Sequence, residues 1–84
     1  MKFLITMNMP VRAGALVHQV VAEHPAATLK DFTRAIEENT FIVIEEFYKD
    51  NQNGDYFSVG PVTLNTTLIG KVRVFTGKSP FMRD

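Results

Sequence analysis

Residues 16–24 read LVHQVVAEH, and whether they form a helix or a strand decides the fold. As a helix they place Leu16, Val17, Val20 and Val21 on one side, a workable apolar stripe. As a strand they set Val17, Gln19, Val21 and Glu23 on one face, with His18, Val20, Ala22 and His24 on the other. The branched side chains at 17, 20 and 21 favour the pleated strand, and Pro25 drives His24 toward extended backbone. The strand reading prevails, and the flanking segments are read around it.

Upstream, residues 2–9 form a strand of apolar and β-tolerant types, closed by Pro10, which has no amide to give a ladder. PVRAGA, residues 10–15, is then the loop of a hairpin. Downstream, Thr28 is a natural N-cap and Asp31 suits the positive end of a helix whose apolar face is Leu29, Phe32, Ala35 and Ile36. Lys30, Arg34, Glu37 and Glu38 occupy the other side, and Asn39 closes it. FIVIEEFY, 41–48, is β-branched and aromatic and reads as a central strand. DNQNGD, 50–55, is a turn in which Asn53-Gly54 accepts the left-handed backbone of a tight hairpin. YFSV, VTLN and GKVRVF follow as short strands, separated by Gly60-Pro61 and by a TTLI turn.

The order, β-β-α and then a run of short strands, predicts an α+β fold, an antiparallel sheet of about five strands with one helix packed on one face. Residues 1–76 make a single domain and 77–84 a peripheral tail. Phe41, Val43 and Phe47 alternate with Ile42 and Ile44, so the central strand is apolar on both sides. One helix covers one face only, and Ile42, Ile44 and Phe57 are expected to line the surface left for a partner. The simplest partner is a second copy related by a two-fold axis.

Composition narrows the function. The 84 residues leave no room for a second core, and the chain contains no cysteine, hence no disulfide, thiolate metal cluster or cysteine nucleophile. Nine basic residues balance nine acidic ones, which argues against a surface built to neutralise nucleic-acid phosphates. A sheet of Tyr56 and Phe57 with Lys71 and Arg73 could stack single-stranded bases, but the clustered lysines of common RNA-binding modules are missing. The opening MKFLITMNMP lacks a secretion signal's unbroken apolar run, and no stretch approaches the roughly 18 apolar residues of a membrane span. A cytoplasmic protein with no membrane contact is the expectation.

Catalytic and metal signals are thin. His18 and His24 on one straight strand stand about 20 Å apart, too far to share a metal ion. Glu37-Glu38 and Glu45-Glu46 are adjacent pairs whose side chains diverge, so neither shares a proton. Glu45 is the best general acid or base, although a cross-strand pair with Lys71 or Arg73 accounts for it structurally. No nucleophile elbow, phosphate loop or dinucleotide fingerprint is present, so no cofactor is expected.

The expected role is therefore a non-enzymatic binding module, a small homo-oligomer that docks a protein partner. The alternative is sequestration of a small anionic, nucleotide-like ligand between subunits. In PVRAG the planar fork of Arg12 suits an anion and Gly14 lets the backbone approach it. His18 and Tyr48 would complete that lining, although the loop reads first as a plain hairpin connection.

Overall fold

The computed structural model describes residues 1–8 and 18–77. Five strands and one helix follow in the order β1 (Lys2–Met7), β2 (His18–Glu23), α1 (Leu29–Glu38), β3 (Phe41–Lys49), β4 (Tyr56–Asn65) and β5 (Ile69–Val74). The fold is the α+β architecture expected, with 18–23 in strand form and every neighbouring pair antiparallel. The helix starts where its chemistry places it. Thr28 accepts a hydrogen bond from the Asp31 amide at 3.1 Å, and Asn39 Nδ2 donates to the Ala35 carbonyl at 2.8 Å.

Two local readings change. YFSV and VTLN are not separate strands but one, β4, bent at Gly60. The register jumps there: Glu46 faces Gly60 while Phe47 faces Ser58, leaving Val59 as the extra residue of a bulge. Gly60 adopts φ +106°, which an L side chain rarely does, so the bend needs glycine. The 50–55 hairpin is also wider than a tight two-residue turn. Only Gly54 is left-handed, at φ +80°, while Asp50 and Asn53 side chains accept from the amides of Gln52 and Asp55.

The sheet order is β4-β3-β2-β1-β5, which separates the last strand from the β3–β4 hairpin. Asn65 and Ile69 then lie on opposite edges of the sheet, only four residues apart in sequence. Four residues reach at most about 14 Å, whereas four flat inter-strand spacings measure about 19 Å. The sheet must therefore coil steeply. At the crossing, the Thr66 hydroxyl lies 2.6 Å and 3.0 Å from the carbonyls of Asn39 and Thr40, tying the helix end to the β4–β5 connection.

Coiling lets one helix close one face. Phe3, Ile5, Met7, Val20, Ala22, Ile42, Ile44 and Leu64 are all buried in one cluster with Phe32 of the helix. Phe32 stacks on Phe3 with ring centroids 4.2 Å apart. Ile42 and Ile44, 6% and 2% exposed, thus belong to the core rather than to a partner surface. The expectation had the faces of β3 reversed, because alternation fixes which residues share a face but not which face the helix takes. Phe57 keeps its exposure, 48%, on the helix side of β4.

Candidate functional site

The face away from the helix carries Lys2, Leu4 and Thr6 of β1, Gln19, Val21 and Glu23 of β2, and Phe41, Val43, Glu45 and Phe47 of β3. It divides into two halves. In the first, Leu4 and Val21 sit opposite one another and are buried, although no helix covers them. Around them the Lys2 ammonium lies 4.8 Å from the centre of the Phe47 ring. Tyr56, at the start of β4, meets Phe75, just past β5, edge to face at 4.9 Å. The two edge strands thus touch across this half. A cleft of about 510 Å³ opens between them, walled by Lys2, Phe47, Asp55, Tyr56 and Phe75.

The second half is bare. Phe41 and Val43 are 59% and 61% exposed, opposite Asn65 and Thr63 of β4. Strand β2 pairs with β3 only from Val21 to Glu23, so residues 41–44 have no strand on that side. A second cleft, of about 410 Å³, fills the notch between Met1, Glu23, His24, Val43, Glu45 and Pro61. Glu23 and Glu45 are direct cross-strand partners, two carboxylates facing each other at its rim. The near ammonium is that of Lys2, whose Nζ lies 3.9 Å from Glu23.

His24 closes the notch from behind. The Met1 ammonium donates to the His24 carbonyl at 3.0 Å, and the His24 amide donates to the Met1 carbonyl at 3.1 Å. His24 Nδ1 accepts from the Ala26 amide at 3.0 Å, and its ring tilts against Phe32 at 4.8 Å. Burial holds the imidazole pKa below its ordinary 6.5, and the nearby positive N-terminus lowers it further.

The anticipated ligand lining is not assembled among the described residues. Arg12 and Gly14 lie outside them. His18 is exposed opposite Met7, and Tyr48 is exposed opposite Phe57, on the helix side of the sheet and away from both clefts. Glu45 does not pair with Lys71 or Arg73, because β5 runs on the outer edge beyond β1. Tyr56 and Phe57, adjacent on one strand, point to opposite faces and cannot form one stacking platform. No group of three or more metal-ligating side chains is found among the described residues, and none of their helices is long and apolar enough to cross a membrane.

The wall formed by Lys2, Phe47 and Phe75 was missed by sequence reasoning. Its only signal was the alternation of Lys2 with Phe3, and nothing in β1 announced that the far edges would meet over it. Comparison of the chain with protein-family models, curated proteins and solved structures finds no match.

Proposed function

We propose that this protein is a non-enzymatic interaction module that works as a small homo-oligomer and docks a protein partner. The observation that carries the reading is the bare strip of Phe41 and Val43, both more than half exposed on a strand whose other face is core. Met1, 48% exposed, extends the strip at its border. Association that removes such residues from water gains roughly 25 cal/mol per Å² of apolar surface. A second apolar group stands on the opposite side: Tyr48 and Phe57 face one another, with Val59 at the adjoining bulge, all about half exposed. Self-association through the first group leaves the second free for a different protein.

Sedimentation velocity at high micromolar concentration tests the proposal. The wild type is expected to run as a dimer or larger, and the Phe41→Ser/Val43→Thr double variant as a monomer with unchanged far-UV circular dichroism. A monomeric wild type at that concentration removes the reading.

The cleft behind Tyr56 and Phe75 supports a second reading, capture of a small, flat anionic molecule. Its volume falls in the range of small-molecule sites, three aromatic rings (Phe47, Tyr56 and Phe75) line it, and Lys2 offers a cation. Thermal-shift screening against nucleotides and aromatic carboxylates, with Lys2→Met as control, decides it. No stabilisation by any of them discards this reading.

A further inference from the structure

The bare strip has a chemical counterpart on the same molecule. Strand β5 forms the other edge of the sheet, and Lys71 and Arg73 alternate along it, both exposed and on one face. Among the described residues neither makes an ion pair, and neither does Glu45. On β3 the order along one face is Phe41, Val43, Glu45, apolar then acidic, with Glu23 directly beside Glu45. A basic edge strand matches this surface in two ways. The long stems of lysine and arginine cover apolar side chains while their heads reach toward carboxylates, and the arginine fork also stacks on an aromatic ring.

Within one chain the match cannot be made, because β2 and β1 lie between β3 and β5. We infer that it is made between two copies: the β5 edge of one seats on the Phe41–Val43–Glu45 surface of the other, and a two-fold axis repeats the contact. Each copy supplies one acidic–apolar surface and one basic edge, so a closed pair satisfies both, and the zero net charge leaves no overall repulsion to oppose it. The same seating shields the outer edge of β5, whose amides and carbonyls have no strand neighbour on that side. This inference rests on the self-association proposed above and names its geometry.

Charge reversal tests it. Glu45→Lys alone and the Lys71→Glu/Arg73→Glu double variant are each expected to weaken self-association about tenfold or more, because like charges then oppose across the contact. Mixing the two weakened proteins restores a dimer, now a heterodimer, since one contact is native and the other is reversed on both sides. Native mass spectrometry distinguishes the heterodimer by mass. If Phe41→Ser/Val43→Thr abolishes association but neither charge variant weakens it, or the mixture stays monomeric, this docking mode is wrong while self-association stands. If the wild type is monomeric, both fall together.

Discussion

Two apolar pairs on the same sheet face have opposite fates. Leu4 and Val21 are 5% and 8% exposed, whereas Phe41 and Val43 are 59% and 61% exposed. Both pairs lie on the side away from the helix, and neither is marked out by its local sequence. The difference is position on a coiled sheet. Leu4 and Val21 occupy its middle, where the edge strands bend toward one another and Tyr56 meets Phe75. Phe41 and Val43 lie past the end of β2, where β3 has a neighbour on one side only. Curvature thus does for one half of the face what a second helix does in a flat layered fold.

The contrast is sharpest in truncation. Leu4→Ala should destabilise the chain by about 2–5 kcal/mol, as for other buried leucines, while Val43→Ala should change it by less than about 1 kcal/mol. Urea midpoints of the two variants measure the gap, and near-equal losses would mean that the two halves are equally covered in solution. The next effect is that of the cross-edge contact. Phe75→Ala removes the ring against Tyr56, and we expect a loss of about 1–3 kcal/mol together with increased solvent access to Leu4. Hydrogen exchange at the β1 and β2 amides reports that opening; unchanged protection would show that the curl is held without this pair.

The smallest effect is pH-dependent and belongs to the back of the notch in the bare half. With its folded pKa below 6.5, His24 binds fewer protons in the folded than in the unfolded chain as pH falls through that region. Stability is therefore complete above pH 6.5 and declines below it, as protonation opposes burial and removes the acceptor for the Ala26 amide. His24→Asn should flatten the difference between urea midpoints at pH 7.5 and pH 5.5. An equal acid loss in both proteins would assign the effect to other groups.

Much of this architecture was legible residue by residue. Valine branching and Pro25 identified β2, Thr28 with Asp31 marked the helix start, and FIVIEEFY could only be a strand. The bend at Gly60 was legible as an interruption but not as a bulge inside one strand, since the glycine's role emerges only against its partner Glu46. The candidate site was far less legible. His18 and Tyr48 were chosen for their chemistry, and neither lines either of the two clefts formed by the described residues. Lys2, Phe47 and Phe75 gained theirs from contacts between elements distant in sequence.

By itself the sequence determined most of the elements, their periodicity and the pairs of residues that must share a face, because backbone sterics and side-chain branching act over a few residues. Only the tertiary structure decided which face of β3 the helix covers, and that β5 crosses to the far edge away from Glu45. Those choices depend on how steeply the whole sheet coils, a property summed over all its strands and carried by no single segment.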